Sequence, residues 1–491
     1  MGNYSLLILI VFPIISGLMV GLMPAFQNKK TRQLFTAGVL GLNLILVLLA
    51  VTGGEKALLV SNLTSQLSIY FKVDGMSRIF LGVVAVMWIC SGVHSFEYMN
   101  HEKNHERYYS FFLLSLGALN GLGMAGNYMT MYLCFECMTL LTMPLALHSQ
   151  TKEAIAAGIK YVMYSIFGAS LGLLGLFFMC RYGTTLEFIP GGTLDAAKVA
   201  GNESLLRAIF FLVVVGFGAK AGMYPLHAWL PTAHPVAPAP ASAVLSGVIS
   251  KAGVLAIIRV IYYQLGVDFV KGTWVQIGWL ILALITVFMG SMMAFKENVL
   301  KKRLAYSTVS QVSYILFGLF LMNEIAMQGA LLHVLCHSII KDVLFLAAGA
   351  IIYKTHKTDV RELRGIGKEM PITIWCFTIV SLALIGIPPL CGFFSKWYLA
   401  VGALESNIPV ISYFGPVVLL ISAILTAGYL FSITVKGFIP GADYDYTSLE
   451  KKEPSLFMTV PMLVLTAAAV LIGVYPKPFM DLINTVVSVL F

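Results

Sequence analysis

Apolar residues run through this chain in blocks of about twenty, the length a helix needs to cross a bilayer. The blocks lie at 4–24, 33–52, 76–96, 108–126, 128–148, 158–180, 204–224, 239–264, 273–294, 305–322, 327–353, 372–402, 411–438 and 455–475. They predict fourteen transmembrane helices. The longest polar stretches between them, 97–107, 181–203, 353–370 and 439–454, are loop-sized for a helical bundle. Residues 1–491 are therefore expected to form one all-α polytopic membrane domain. The first block has no positively charged leader and no A-x-A cleavage site, so it is read as a retained helix. After Lys477 a short apolar tail falls short of a membrane span and is expected to lie at the interface.

Composition agrees with that pattern. Hydrophobic residues make up 58% of the chain, charged residues 11%, and the mean hydropathy is +0.86, which leaves too little polar surface for a soluble protein of this size. The net charge of +9 has a topological reading. With the N-terminus outside, nineteen Lys and Arg fall in inside loops and seven in outside loops, and six (Arg78, Lys220, Lys251, Arg259, Lys341, Lys396) fall within helices. Positive residues favour cytoplasmic loops, so both termini are expected outside a cytoplasmic-type inner membrane. No basic cluster is interleaved with aromatics, so the lipid bilayer is expected as a partner and nucleic acid is not. All seven cysteines lie in or beside apolar helices, and the Cys134/Cys137 pair lacks a second pair or a histidine for a metal site.

Charges inside apolar blocks carry the chemistry. Lys220, Lys251, Lys341 and Lys396, with Glu136, each need a partner, a watery cavity or a function, because a charge in hydrocarbon costs several kcal/mol. Two of the blocks are also interrupted. Gly216-Phe-Gly-Ala-Lys220-Ala-Gly-Met-Tyr-Pro225-Leu-His227-Ala-Trp-Leu-Pro231 and Gly386-Ile-Pro388-Pro389-Leu-Cys-Gly392-Phe-Phe-Ser-Lys396 should break near mid-membrane, because proline removes a backbone donor and clashes with the preceding turn. Broken helices at corresponding places in two halves mark transport sites. Lys220 and Lys396 each stand beside a break, in the fourth helix of the five-helix blocks 108–264 and 273–438. The alternative is a pair of ordinary proline kinks.

The stretch from Lys220 through His234 to Lys251 resembles the signature of the antiporter-like subunits shared by respiratory complex I, Mrp cation/proton antiporters and membrane-bound energy-converting hydrogenases, including formate hydrogenlyases. Asp74-Gly75-Met-Ser77, Lys302-Arg303-Leu-Ala-Tyr306-Ser-Thr-Val-Ser310-Gln311 and His333-Val-Leu-Cys-His337-Ser-Ile-Ile-Lys341 resemble motifs of the third, tenth and eleventh helices of that family. The resemblance implies fourteen helices with two inverted five-helix repeats, each containing a broken helix. It makes Glu136 the fifth-helix partner of Lys220, Lys251 the central residue of the eighth helix, and Lys396 the terminal residue of the twelfth. His333 and His337 are one turn apart on one face, with Lys341 continuing the stripe.

These residue types suit proton transfer. Burial disfavours a charged lysine and a nearby carboxylate favours it, so moving Glu136 relative to Lys220 would switch the lysine between holding and releasing a proton. Histidines with an unperturbed pKa near ~6.5 relay protons at neutral pH. The alternative is a set of buried ion pairs that only keep helices in register. His227 and His234 flank the first break and are candidates for an access channel. Asp342 points about 100° from Lys341, toward a neighbouring subunit or no ionic partner. Arg259 is expected to snorkel, and Glu297 to be a loop charge.

No cofactor is expected in this chain, which has no iron–sulfur cysteine spacing, no nucleotide loop and no haem pattern. The expected role is proton translocation, with Na⁺/H⁺ exchange as a variant, in a multisubunit complex driven by redox chemistry on other chains. The expected partners are other antiporter-like and small membrane subunits and a peripheral hydrogenase-like or quinone-reductase-like iron–sulfur module. The Ala-His234-Pro-Val-Ala-Pro-Ala-Pro segment is most similar to the hydrogenase branch, then to the Mrp branch. A stand-alone Mrp-type secondary antiporter and a structural scaffold are the alternatives. Tags on both termini should react with a membrane-impermeant reagent added outside intact cells; labelling that requires permeabilised cells would reverse the expected orientation.

Overall fold

Polar residues at the edges of the apolar blocks start the helices. Asn28, Asp74, Asn127, Thr151, Asn323 and Ser455 each accept a hydrogen bond from a backbone N–H two or three residues on, satisfying donors that the first turn leaves free. The computed structural model describes residues 4–441, 444–445 and 450–491. Its helices longer than one turn are α1 (Ser5–Leu22), α2 (Lys29–Thr52), α3 (Gly75–Tyr98), α4 (His105–Gly123), α5 (Tyr128–Ala146), α6 (Lys152–Tyr182), α7 (Glu203–Ala221), α8 (Leu230–Val236) and α9 (Ala239–Leu265). They continue with α10 (Trp274–Lys296), α11 (Leu300–Leu321), α12 (Glu324–Thr355), α13 (Pro371–Ile385), α14 (Cys391–Leu404), α15 (Ile411–Phe438), α16 (Leu456–Val474) and α17 (Lys477–Leu490).

Twelve of these are long and apolar enough to cross a membrane. The other passes expected from the sequence correspond to α4, whose polar first turn lowers its hydropathy, and to the α13–α14 pair, which shares one pass because it is broken. The tail α17 places Ile483, Val486, Val487 and Leu490 against the bundle. A hairpin of β1 (Lys56–Asn62) and β2 (Ser68–Val73) occupies a stretch the apolar pattern leaves as loop. Hydrogen bonds anchor β2 outside the hairpin: among them, Tyr70 N–H donates to Thr130 Oγ1 at the start of α5, and Lys72 N–H to the Met124 carbonyl.

Three helices form the centre. The apolar window of α9 is wholly buried, and those of α11 and α12 are 94% and 89% buried, whereas α1 and α2 are only one-third buried. A helix enclosed on all sides exposes nothing to lipid, so its polar residues must be satisfied by other protein groups. Of these, α9 carries Lys251 and α12 carries His333, His337 and Lys341.

Arg259 does not snorkel. It is 2% exposed and forms a two-pronged pair with Asp74, Nη1 to Oδ2 at 2.6 Å and Nη2 to Oδ1 at 2.9 Å, with Tyr263 and Phe188 rings over the guanidinium. Asp74 also caps α3 by accepting from the Ser77 N–H, so one carboxylate starts α3 and ties it to the end of α9. Burial pushes the Asp74 carboxyl up, but Arg259 and the Ser77 hydrogen bonds outweigh it and hold it at about 2. A folded value below the ordinary ~3.9 stabilises the protein above that ordinary value, and the contribution is lost as pH falls through about 2. Asp74→Ala, which strands a buried guanidinium, should lower thermal stability in detergent by about 3–5 kcal/mol, and adding Arg259→Met should recover most of it. No recovery in the double variant would show that Asp74 acts only as a cap.

Candidate functional site

Lys220 is the last-turn residue of α7, and its ammonium is held by three hydroxyls. Nζ donates to Tyr161 OH at 2.6 Å, Thr139 Oγ1 at 2.9 Å and Ser165 Oγ at 3.2 Å, and lies 4.3 Å from the centre of the Tyr161 ring. A hydroxyl chain continues from Tyr161 to Thr142 at 2.7 Å. Glu136 stands back from this cluster. It is half-buried on α5 and makes no ion pair with any described residue, so the direct contact with Lys220 expected from the sequence is not formed. Its place one turn before Thr139 puts both on the side of α5 that faces Lys220.

Both breaks are built alike. α7 ends with Gly222 at φ 83°, with Gly222 N–H to the Ala219 carbonyl and Met223 N–H to that of Gly218. α13 ends with Gly386 at φ 101°, with Gly386 N–H to Ala383 and Ile387 N–H to Leu382. This is the paired hydrogen-bond cap that a left-handed glycine permits. Carbonyls at the two helix ends take different further donors. Trp229 Nε1 donates to the Ala219 carbonyl at 2.7 Å in the first break. In the second, Lys396 reaches back from α14 to the Leu384 carbonyl at 2.5 Å and the Ile385 carbonyl at 3.1 Å, where the negative end of the α13 dipole favours a cation.

Between the breaks runs a buried polar row. A widened turn in α9, Leu245–Ile249, in which Ser250 N–H bonds to the Leu245 carbonyl, aims the Ser246 carbonyl at Lys251 Nζ at 2.6 Å. Lys251 Nζ also meets His337 Nδ1 at 2.6 Å. The His337 and His333 rings are 5.8 Å apart, and His333 Nδ1 lies 2.8 Å from Ser395 Oγ, next to Lys396. Tyr314 stacks on His333 at 5.8 Å and lies 5.0 Å from Lys396 Nζ. The row thus reads Lys251, His337, His333, Ser395, Lys396. No described hydrogen bond joins it to Lys220.

Five more residues singled out in the sequence lie off the row. Lys341 donates to the Leu304 carbonyl of α11 at 3.0 Å and so leaves the histidine stripe. His234 is fully buried on α8 against the Phe345 ring, with both ring nitrogens unpaired in the protein. His227 is half-buried in the first break beside Tyr224. Asp342 points inward, not to a neighbouring subunit, and accepts from Ser91 Oγ at 3.0 Å. Glu297 is more than a loop charge: it pairs with Lys302 at 2.7 Å and accepts from the Val299 N–H, starting α11.

Sequence reasoning missed Tyr161, Ser165, Thr139, Ser395 and Tyr314. The i, i+4 spacing of Tyr161 and Ser165 in an apolar helix was a usable signal, but only the fold shows which lysine they serve. Gly222→Ala and Gly386→Ala should each destabilise the protein by at least about 1–2 kcal/mol, since each forces a side chain into the left-handed region. Unchanged melting of either variant would mean that the caps are not needed to form the breaks.

Residues 125–423 match the family described as NADH:quinone oxidoreductase/Mrp antiporter, TM. NADH-quinone oxidoreductase subunit N of Desulforudis audaxviator is 31% identical over 416 residues, covering 82% of this chain and 81% of its own. Hydrogenase-4 component B of Escherichia coli is 32% identical over 82% of this chain, which spans 62% of that protein. The D-type subunit of the Na(+)/H(+) antiporter of Alkalihalophilus pseudofirmus is 28% identical, covering 96% of this chain and 94% of its own. Among solved structures, a subunit of the Mrp complex from Dietzia sp. DQ12-45-1b aligns with a TM-score of 0.86 at 21% identity, over 99% of this chain and 97% of that one. A chain of an archaeal membrane-bound sulfane sulfur reductase aligns with a TM-score of 0.85 at 24% identity, over 100% and 98%. Both structural likenesses are likenesses of fold.

Proposed function

The chain belongs to the NADH:quinone oxidoreductase/Mrp antiporter membrane family, and from that membership we propose that it is the proton-translocating, antiporter-like subunit of a redox-driven membrane complex. The observation that carries this reading is the buried row Lys251, His337, His333, Ser395, Lys396, ending at a helix break. A lysine at 1% exposure costs too much to be decoration.

The hydrogen bonds suit one pair of imidazole tautomers. As an ammonium Lys251 only donates, and His337 Nδ1 then accepts while its Nε2 carries hydrogen. When Ser395 gives its hydroxyl hydrogen to the Gly392 carbonyl, His333 Nδ1 donates to Ser395 and leaves its Nε2 as a free lone pair. A free N–H on His337 and a free lone pair on His333 are the two ends a proton needs to pass from one to the other. Neither Nε2 has a protein partner, and buried polar atoms without one are where ordered water bonds. At Lys220, Glu136 favours the ammonium from a distance, and any motion of α5 that changes that distance gates the proton.

The partners proposed are further antiporter-like and small membrane subunits with a peripheral iron–sulfur module, hydrogenase-like or quinone-reductase-like. A second reading, a secondary Na⁺/H⁺ antiporter without redox chemistry, is favoured by the end-to-end match to the D-type antiporter subunit. Mass spectrometry of the complex purified in mild detergent separates the two: a hydrogenase-like or quinone-reducing protein supports the first, and small membrane subunits alone support the second. Lys220→Ala and Lys251→Ala should each abolish most proton uptake into vesicles, measured by quenching of a pH-sensitive dye, while the complex still assembles. Wild-type uptake in both variants would leave only a scaffold.

A further inference from the structure

The proton-transfer row does not use Asp342. This carboxyl is fully buried in α12, one of the three central helices. Its Oδ2 accepts from Ser91 Oγ of α3 at 3.0 Å, and its Oδ1 has no protein partner. No described basic group is in ion-pair contact with it. Cys90 of α3 and Lys251 of α9 are the titratable groups that act on it from the helices packed around it, and Lys341 beside it turns away to Leu304.

The widened turn of α9 lies between Asp342 and Lys251. One of its residues, Ser246, offers its carbonyl to Lys251. The next, Gly247, faces Asp342: a Cβ built there would lie 2.9 Å from Oδ1 and 3.3 Å from the Ser338 carbonyl. The absence of a side chain at Gly247 therefore keeps Oδ1 open toward the turn. A carboxylate with one hydrogen bond and no counter-cation is not stable in such a site; a carboxylic acid is.

We propose that Asp342 is a proton-holding carboxylic acid that exchanges its proton with Lys251 around this turn, as a side branch of the row. The step balances as a carboxylic acid and a neutral amine becoming a carboxylate and an ammonium, with one proton moved and no net charge created. The lysine–histidine row then has a store that can reload Lys251 after its proton has passed to His337. The proposal rests on the row being a proton path, but its first test does not.

That test is infrared difference spectroscopy of the intact complex in liposomes, stepped from neutral to alkaline pH, comparing wild type with Asp342→Asn. The Asn variant keeps an acceptor for Ser91 and so keeps the packing. A protonated-carboxyl C=O stretch present in wild type at neutral pH, sensitive to deuterium and missing from the variant, is the expected result. Identical spectra would overturn the proposal whatever the row does. Transport then tests the coupling: Asp342→Asn should slow proton uptake by about a hundredfold, the lower end of the cost of removing a proton donor, and Asp342→Glu should restore part of it. Gly247→Ala, which closes the space at Oδ1, should slow uptake with Asp342 still protonated. Wild-type uptake in Asp342→Asn would show that the acid is an isolated structural group.

Discussion

The low-dielectric interior of a membrane protein leaves no buried charge or hydrogen-bonding group without consequence, and the arrangement of this chain follows from how it meets that constraint. Four lysines lie inside apolar helices, and each is answered differently. Lys220 is answered by hydroxyls and an aromatic ring, Lys251 by a carbonyl and an imidazole, Lys341 by a carbonyl, and Lys396 by the end of a half-helix. None is in ion-pair contact with a described carboxylate. Such neutral partners solvate an ammonium without fixing it, and also leave a neutral amine comfortable. A lysine held in this way can change its protonation without leaving a stranded counter-charge, unlike one locked in a buried ion pair.

The tight ion pair between α9 and α3 is structural. Arg259 is always charged, and Asp74 meets it with both oxygens while capping α3. The contrast between this pair and the four lysines divides the buried charges by task. Guanidinium and carboxylate in contact fix two helices in place. Ammonium groups among hydroxyls, carbonyls and imidazoles are left able to exchange protons.

Backbone irregularity serves the same end. At three places where helical hydrogen bonding is interrupted, Gly222, Gly386 and the widened turn Leu245–Ile249, the backbone supplies carbonyls or room beside a titratable side chain. Irregular backbone is tolerated at membrane depth only where protein or water receives its polar groups. Here Trp229 receives them at the first of these places, Lys396 at the second and Lys251 at the widened turn. The interruptions are thus not defects in otherwise regular spans but part of how the buried lysines are held.

Much of this was legible before any fold was known. Runs of about twenty apolar residues set the spans, prolines and glycines marked both breaks, and charges inside hydrocarbon named Lys220, Lys251, Lys341, Lys396 and Glu136, because each is a local property of the chain. Which groups touch is not a local property. Arg259 looked like a snorkelling side chain until Asp74, 185 residues away, was found beside it, and only the fold brought Ser91 of α3 to Asp342. Likewise Lys341 continued the histidine stripe on a helical wheel yet turned to a carbonyl of α11. Sequence alone determined that the chain crosses a membrane many times with titratable groups inside it. Tertiary structure alone decided how those groups are paired, since a buried polar atom takes whichever partner the packing of distant helices brings within hydrogen-bond reach.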